Sequence, residues 1–341
     1  MSVRELIVLG TASQVPTRYR NHNGYLLRWD DEGFLFDPGE GTQRQMIYAN
    51  VASTAISRIC ITHFHGDHCL GLAGISQRIS LDGAPHPVHV YFPRSGQKYY
   101  DRLRRASIFH DVATVIPHPI SKAGPIDEQE HWTLTVRPLD HGVDTYGYRL
   151  QERAGRTMLP AKLAEAGIRG PMVRELIENG FIDIDTDTGG GDDGSEGSDG
   201  ARKRVRLEDV SVPKPGQSVA FVMDTRMCDN AIELARGVDV LICESTYLKQ
   251  DADKAHAHGH LTAAQAATIA REAGAKKLIL THFSQRYPST DAFLAEARPI
   301  HGNTIAVRDG DVIPIPRRKK PKKPKKSKNP RASAKPGNSK G

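Results

Sequence analysis

The stretch Thr62-His63-Phe64-His65-Gly66-Asp67-His68 places three histidines and one aspartate within six positions. It directly follows residues 57–61, whose apolar character predicts a short buried strand. The cluster therefore lies on the loop at the carboxyl end of that strand, where α/β proteins commonly bind ligands. A lone histidine more often has a structural role, but four ligand-type side chains this close together favour a metal site.

The spacing of these side chains indicates two cations rather than one. His63 and His65 can point the same way from an extended segment, whereas Asp67 and His68 turn away at the loop. Two imidazoles can then bind one cation, and a carboxylate with an imidazole can bind a second. Nitrogen and oxygen ligands without a thiolate suit Zn²⁺, with Mn²⁺ as the alternative.

The composition predicts a soluble cytoplasmic protein with a basic tail. The chain has 341 residues, which is long enough for one large α/β domain or two smaller ones. Its formal charge is +7. Residues 317–341 hold 12 Lys or Arg and no acid, so subtracting these 12 charges leaves −5 for residues 1–316. Four cysteines without a C-x-x-C pair favour a reducing compartment. No signal peptide and no membrane-spanning apolar run is expected.

Short apolar segments alternate with helical segments along the chain, which predicts an α/β fold class with layered sheets and helices. The predicted strands are 6–10, 25–29, 34–36, 57–61, 88–92, 132–138, 146–150, 219–223, 238–243, 277–280 and 304–307. The predicted helices are 43–49, 70–80, 97–107 and 262–273.

One large domain, residues 1–316, is predicted to carry an insertion at residues 151–213. The insertion reads as polar and helical, and residues 183–200 within it form a Gly/Asp/Ser-rich acidic run that is predicted to be disordered. The Lys/Pro-rich tail, residues 317–341, cannot form a core and is also predicted to be disordered. The tail is either a solvated extension or a segment that attracts RNA through its charge.

Three further ligand-type residues, His141, Asp224 and His282, each lie just after a predicted strand. Because such positions converge at one end of an α/β sheet, these residues are expected to meet the 63–68 loop. A carboxylate such as Asp224 can bridge two cations. The resulting assignment places one cation on His63, His65, His141 and Asp224, and the other on Asp67, His68, Asp224 and His282.

This set of ligands resembles that of the metallo-β-lactamase superfamily and, within it, the ribonuclease Z family, whose members remove 3′ trailers from precursor tRNA. The resemblance runs from about residue 3 to residue 313. Its last motif, His282-Phe283-Ser284-Gln285-Arg286-Tyr287, is far more specific to the family than the histidine loop. The other matching segments are residues 10–11, 16–21, 37–45, 63–68, 141, 146–148, 224–225, 244–246 and 260–262.

The resemblance implies a four-layer αββα sandwich, a homodimer and an RNA substrate. It also implies that residues 151–213 are a protruding arm that grips the body of the tRNA, marked by Gly170-Pro171. The acidic run at 183–200 is an unusual addition, poorly suited to touching phosphates. RNA contact is therefore expected on the rest of the arm, with residues 202–206 as one candidate.

Two cations can polarise a water molecule against a phosphodiester and stabilise the charge that develops. Asp67 is expected to act as general base, a role that the resemblance also implies. His260, oriented by Glu244, is the candidate proton donor to the leaving oxygen, and a purely structural hydrogen-bonded pair is the alternative. Ser284 and Arg286 are expected to hold a substrate phosphate.

Two other functions remain open at this stage. A small-molecule phosphodiesterase could use the same scaffold, although it would need neither the insertion nor the loop at residues 16–21. A non-catalytic RNA-binding protein could retain the fold, although it would not need to retain all seven ligand residues.

Overall fold

Two seven-stranded β-sheets form the centre of the protein, in a computed structural model that describes residues 3–185 and 202–315. The strands, in chain order, are β1 Arg4–Gly10, β2 Ala12–Ser13, β3 Gly24–Trp29, β4 Glu32–Phe36, β5 Arg58–Cys60, β6 Val88–Pro93, β7 Val115–Ile120, β8 Gly124–Glu128, β9 Trp132–Pro138, β10 Tyr146–Glu152, β11 Gly155–Met158, β12 Phe181–Asp185, β13 Arg202–Arg206, β14 Ser211–Lys214, β15 Ser218–Val222, β16 Val240–Glu244, β17 Leu278–Thr281, β18 Phe283–Ser284, β19 Thr304–Ala306 and β20 Val312–Pro314.

The α-helices are α1 Thr42–Tyr48, α2 Gly66–Cys69, α3 Leu72–Leu81, α4 Gln97–Arg104, α5 Pro160–Glu165, α6 Pro171–Asn179, α7 Asp229–Ala235, α8 Ala252–His258, α9 Ala263–Glu272 and α10 Asp291–Ala297. Short 3-10 helices cover Ser53–Ala55, Arg94–Gly96 and Lys249–Asp251. Helix α9 begins with a capping box, in which the Thr262 side chain accepts from the Gln265 N–H. Among the described residues, every helix is too short or too polar to cross a bilayer.

The two sheets have related topologies. The first has the order β20-β1-β3-β4-β5-β6-β7, with antiparallel pairing from β20 to β4 and parallel pairing from β4 to β7. The second has the order β19-β17-β16-β15-β10-β9-β8, with parallel pairing from β19 to β15. Strands β15, β16 and β17 are buried at every position, as expected where helices cover one face and a second sheet covers the other.

The largest part of the core lies between the two sheets. Tyr25 and Phe36 of the first sheet contact Phe221 of the second, with ring centroids 5.2 Å and 4.6 Å apart. Phe36 also meets Tyr148 edge-on. Two further apolar clusters lie on the outer faces, where α1, α3 and α4 cover the first sheet and α7, α9 and α10 cover the second. The expected αββα sandwich is confirmed.

Strands β7 and β8 were not predicted from the sequence, because both contain proline or glycine, which is uncommon inside strands. Pro117 and Pro119 alternate along β7, and Gly124-Pro125 begins β8. Each strand is the last in its sheet, where a proline need not donate a ladder hydrogen bond. Strand β20 and helices α7, α8 and α10 were also not predicted.

The insertion forms a small unit with its own core. Strand β11 pairs with β14 to connect this unit to β10 and β15, and the hairpin of β12 and β13 packs with α5 and α6. Its buried apolar residues are Ile168, Leu176, Ile182, Val205 and Val210.

The predicted start of the disordered run is wrong by three residues. Positions 183–185 belong to β12, where they pair with the basic strand β13. Arg204 donates two hydrogen bonds of 2.8 Å to the Asp183 carboxylate, so opposite charges stabilise this hairpin. The rest of the run, residues 186–200, and the tail at 317–341 lie outside the described residues.

Candidate functional site

Loops at the carboxyl ends of strands from both sheets bring the seven candidate ligands together. His63 follows β5, Asp224 follows β15, and His282 directly follows β17. Asp224 and His282 have left-handed backbones, with φ of 37° and 61°. Non-glycine residues rarely adopt this conformation, and it is typical of functional sites where surrounding structure enforces it.

The first group of side chains contains three imidazoles and one carboxylate. His65 Nδ1 lies 2.9 Å from His63 Nε2 and 3.2 Å from His141 Nε2. Asp224 Oδ2 lies 3.5 Å from His63 Nε2 and 3.8 Å from His141 Nε2. These four ligand atoms all lie within 4.8 Å of one another, which is compact enough for one cation.

The second group contains Asp67, His68 and His282. Asp67 Oδ2 lies 3.4 Å from His68 Nε2 and 3.5 Å from His282 Nε2. Asp224 lies between the two groups, since its Oδ2 is 3.3 Å from His68 Nε2 and its Oδ1 is 3.3 Å from His282 Nε2. Its two oxygens can therefore serve two cations at once.

Hydrogen bonds to the outer ring nitrogens orient two of the histidines. His68 Nδ1–H donates to Asp37 at 2.8 Å, and Asp37 also accepts from the Thr62 backbone N–H at 2.7 Å and from the Thr62 hydroxyl at 2.8 Å. Because the Thr62 hydroxyl proton is used there, its oxygen accepts from His63 Nδ1–H at 3.0 Å. Both rings consequently direct Nε2 into the site.

The same arrangement holds for the two histidines that come from the second half of the site. His141 Nδ1–H donates to the Gly259 carbonyl at 2.9 Å. The Thr246 hydroxyl donates to Glu244 at 2.6 Å, so its oxygen accepts from His282 Nδ1–H at 2.8 Å. Their Nε2 atoms point toward the carboxylates.

The buried charges of the site balance one another. Burial, together with the neighbouring His68, holds the pKa of His63 well below its usual value, so His63 is neutral. Burial alone would raise the pKa of Asp224, but His282 and His68 outweigh it and hold that pKa well below the usual range. Burial opposes a charge on His68, but Asp224 and Asp67 raise its pKa well above normal. The carboxylates of Asp67 and Asp224 therefore favour a positive charge between them, on His68 or on a bound cation.

These donors fit divalent cations. Asp224 Oδ1 and His282 Nε2 are buried and have no hydrogen-bond partner among residues 3–185 and 202–315, which is costly unless another group satisfies them. His65 Nδ1 faces the lone pairs of His63 and His141 and can supply a proton to only one of them. One cation in each of the two groups would satisfy these atoms, and a nitrogen and oxygen set without thiolate suits zinc.

The Asp67 carboxylate is held by the backbone of a residue that the sequence analysis did not single out. Gln14 N–H donates to Asp67 Oδ2 at 2.7 Å, and Gln14 has a left-handed φ of 55°. His22 Nε2–H donates to the Gln14 carbonyl at 3.0 Å and so helps to hold that turn. Burial would raise the pKa of Asp67, but the charge of the neighbouring His68 outweighs it and holds that pKa well below the usual range.

His260 and Glu244 form a hydrogen-bonded pair beside the second group. His260 Nδ1 lies 3.1 Å from Glu244 Oε1, and Glu244 is fully buried. Burial would lower the pKa of His260, but Glu244 and Asp224 raise it to about 9. Burial would raise the pKa of Glu244, but the charge of His260 lowers it. At neutral pH the pair is therefore an imidazolium with a carboxylate, and the ring faces an open cleft.

That cleft has a volume of about 620 Å³ and contains the remaining predicted residues. Ser284 and Arg286 line it, and Arg286 Nε–H donates to Ser284 Oγ at 3.2 Å. The Arg286 side chain is 43% exposed and its guanidinium lies 5.3 Å from the centre of the Tyr247 ring. The cleft therefore joins the ligand groups to a cationic group that can bind an anion.

The residues that hold the ligands were harder to find from sequence than the ligands themselves. Asp37 directly follows β4, so the rule that located Asp224 and His282 could have assigned it to the site. The roles of Thr62 and Thr246 depend on which histidine each hydroxyl reaches. Gln14 acts through its backbone N–H, so the type of its side chain does not indicate this role in the sequence.

Comparison with known proteins gives consistent matches. Residues 17–150 match the model of the metallo-beta-lactamase superfamily, and residues 201–283 match a beta-lactamase superfamily domain. Ribonuclease Z from Nocardia farcinica is 53% identical over 321 residues, covering 94% of this chain and 100% of the relative. Ribonuclease Z from Salinispora arenicola is 51% identical over 94% of this chain and 99% of its own. The solved human short-form tRNase Z has a TM-score of 0.64 and 24% identity, covering 92% of this chain and 99% of that structure, which shows a shared fold.

Proposed function

The chain belongs to the ribonuclease Z family, a family of tRNA 3′-processing endoribonucleases, and we propose that it cuts the 3′ trailer from precursor tRNA at the cleft described above. The observation that carries this proposal is the convergence of seven ligand-type side chains on one cleft that also holds Arg286. The products would be a tRNA with a 3′-hydroxyl and a trailer with a 5′-phosphate.

Two Zn²⁺ ions are proposed as the cofactors, with Mn²⁺ as the alternative. One would be held by His63, His65, His141 and Asp224, and the other by Asp67, His68, Asp224 and His282. When bound, such a pair lowers the pKa of a water molecule and stabilises charge on the phosphate. His68 would have to be neutral to hold such a cation, because a ligating imidazole needs a lone pair at Nε2.

Asp67 is proposed as the general base. It is ionised, and its Oδ2 is held by the Gln14 N–H between two histidines. A carboxylate fixed at this position can accept a proton from the attacking water molecule without reorienting.

His260 is proposed as the general acid. Its proton at Nδ1 is directed to Glu244, so the proton at Nε2 is available to the leaving O3′ of the tRNA. The raised pKa of about 9 supports this role, since the ring is charged at neutral pH. In the alternative, purely structural role, replacing His260 would alter stability without changing the pH dependence of cleavage.

Ser284 and Arg286 are proposed to bind a phosphate of the RNA. The guanidinium lies against the Ser284 hydroxyl and the Tyr247 ring, its Nη1 is 3.9 Å from Asp251 Oδ1, and the residue lines the cleft. A guanidinium so placed can neutralise a non-bridging oxygen as charge develops on the phosphate.

The insertion at residues 151–213 is proposed as the arm that binds the body of the tRNA. Arg156, Arg204 and Arg206 line a hollow of about 390 Å³ on this unit. Arg204 stacks over Phe181, with 4.1 Å between the guanidinium carbon and the ring centre. Basic groups beside an exposed aromatic ring suit an RNA backbone. Because Arg204 is paired with Asp183 and Arg206 with Glu208, whereas Arg156 donates to the neutral Ser211 hydroxyl, Arg156 is the strongest of the three candidates for phosphate contact.

A homodimer in the cytoplasm is proposed from the family resemblance. All four cysteines are free, which is compatible with a reducing compartment. Light scattering of the purified chain in solution tests the dimer, and a monomer at micromolar concentration would contradict it.

Relatives of about 50% identity over nearly the whole chain favour this function over a small-molecule phosphodiesterase or a non-catalytic RNA-binding protein. The test is incubation of purified protein with a precursor tRNA, with and without chelator, followed by mapping of both new ends. Cleavage at the trailer junction that stops with chelator and returns with zinc supports the proposal. An uncut precursor with metal-loaded protein refutes it.

A further inference from the structure

A second pocket, of about 350 Å³, lies directly beside the metal-ligand cleft. Phe64 and Tyr99 provide its aromatic surfaces, and Lys98 and Asp144 provide its charges. His65 lines both this pocket and the main cleft, so the two spaces share one wall. None of the roles derived above uses this pocket.

The aromatic surface of the pocket is exposed and firmly supported. The Tyr99 residue is 41% exposed, and its ring lies 5.8 Å from the half-buried ring of Phe64. Phe64 packs in turn on Phe92. At Gly96, a Cβ atom would lie 2.0 Å from the Phe64 ring, so only glycine lets this ring occupy its place. The protein itself therefore fixes the positions of the Phe64 and Tyr99 rings, and the pocket is preorganised for a ligand.

The chemistry of the pocket matches a nucleotide. Exposed aromatic rings stack on nucleobases of any sequence, because every base has a π face. Lys98 Nζ lies 4.8 Å from the Tyr99 ring centre, where it can also reach the backbone of an RNA strand. The Asp144 carboxylate can accept a hydrogen bond from a base N–H. The volume is sufficient for one base, whereas a folded tRNA body could not enter it.

The positions of three histidine rings relative to the pocket indicate which nucleotide of the precursor would occupy it. The rings of His65, His141 and His260 follow one another, with centroid separations of 5.1 Å and 5.4 Å. His260 marks the side of the leaving O3′, which belongs to the mature tRNA. The pocket is lined by His65 and by neither His141 nor His260, so it lies on the side of His65 away from His260, which is the side of the trailer.

We infer that Tyr99, Phe64 and Lys98 form a subsite for the first base of the 3′ trailer. This inference rests on the proposed function, because it uses His260 to mark the tRNA side. It adds a specificity-determining contact: stacking holds the trailer nucleotide so that its 5′ phosphate lies over the metal ligands.

The test compares two precursors that are identical except that one has an abasic first trailer nucleotide. For the normal precursor, Tyr99→Ala is expected to lower kcat/KM about tenfold, the effect of losing one base-stacking contact. Tyr99→Phe should retain most of the activity. For the abasic precursor, the wild type and Tyr99→Ala should be equally active, because the stacking partner is already absent.

Tyr48→Ala is the matched control. Tyr48 is 61% exposed and has the Arg44 guanidinium 5.1 Å from its ring centre, but it lines neither this pocket nor the cleft. It should leave the ratio between the two precursors as in the wild type. Zinc content and melting temperature of Tyr99→Ala should match those of the wild type, which shows that the metal ligands and the fold are intact. Hydrolysis of a small diester, bis(4-nitrophenyl) phosphate, by the wild type reports separately on the metal ligands.

The inference is overturned if the abasic precursor distinguishes Tyr99→Ala from the wild type as strongly as the normal precursor does. It is also overturned if an abasic nucleotide at the last position of the tRNA, instead of the trailer, removes the effect of Tyr99→Ala. The proposed function fails separately, and visibly, if the wild type leaves the normal precursor uncut while hydrolysing the small diester.

Discussion

Asp37 offers a sharp test of how the site is held, because it touches no proposed cation and yet orients two ligands. It is fully buried and accepts three hydrogen bonds of 2.7–2.8 Å, two from Thr62 and one from His68 Nδ1–H. In Asp37→Asn, one acceptor becomes an NH₂ group that opposes one of these donors. An unsatisfied buried donor costs about 1–3 kcal/mol. If His68 responds by moving its proton to Nε2, that nitrogen can no longer bind a metal.

We therefore expect Asp37→Asn to weaken binding of the second cation about 10–100-fold, as is usual when the hydrogen-bond partner of a ligating histidine is lost. Competition with a zinc chelator of known affinity measures this change, and cleavage of precursor tRNA at limiting zinc should fall in parallel. Excess zinc should restore much of the activity, because the ligands themselves are unchanged.

Asp309→Asn is the matched control. Asp309 is a partly buried carboxylate that accepts from the Asn21 N–H at 2.6 Å and from the Thr11 hydroxyl at 2.7 Å, with no histidine among these partners. It should lower thermal stability without changing zinc affinity. If Asp37→Asn binds zinc as tightly as the wild type does, the argument that Asp37 sets the tautomer of His68 is wrong.

Four further outcomes are expected. Asp67→Ala should abolish cleavage while leaving tRNA binding nearly intact, and full activity would remove Asp67 from the mechanism. Deletion of residues 151–213 should prevent precursor processing but spare hydrolysis of a small phosphodiester; equal loss of both would refute the arm. The folded pKa of His260 is raised to about 9, so its acid form is present below that pH and kcat should fall as pH rises through about 9. His260→Gln should lose this alkaline limb, and a limb that persists would exclude His260 as the acid. A chain ending at residue 316 should bind RNA more weakly at low salt only, and an unchanged salt dependence would contradict charge attraction by the tail.

The site could be located from sequence because its ligands obey one local rule. His63, Asp224 and His282 each come within three residues of the end of a buried strand, and the apolar run of such a strand is easily recognised. The layered α/β fold follows from the same runs. The family resemblance added the four-layer arrangement and the proposal that residues 151–213 form an arm, which spacing alone does not supply.

The parts that sequence did not reveal depend on contacts between distant positions. Pro117 and Pro119 are compatible with β7 only because that strand is at a sheet edge. Residues 183–185 are ordered because a basic strand pairs with them across the hairpin. The pocket beside His65 brings α4 next to the loop at residue 144, and neither segment alone carries a binding motif.

The central claim is that seven side chains hold two cations that act on one phosphate. Anomalous diffraction from crystals of zinc-loaded protein tests it most directly. Two anomalous-difference peaks are expected. One should lie among His63, His65, His141 and Asp224, and the other among Asp67, His68, Asp224 and His282. A zinc-loaded protein with no peak in these positions, or with metal held by other residues while precursor tRNA is still cut, would contradict it.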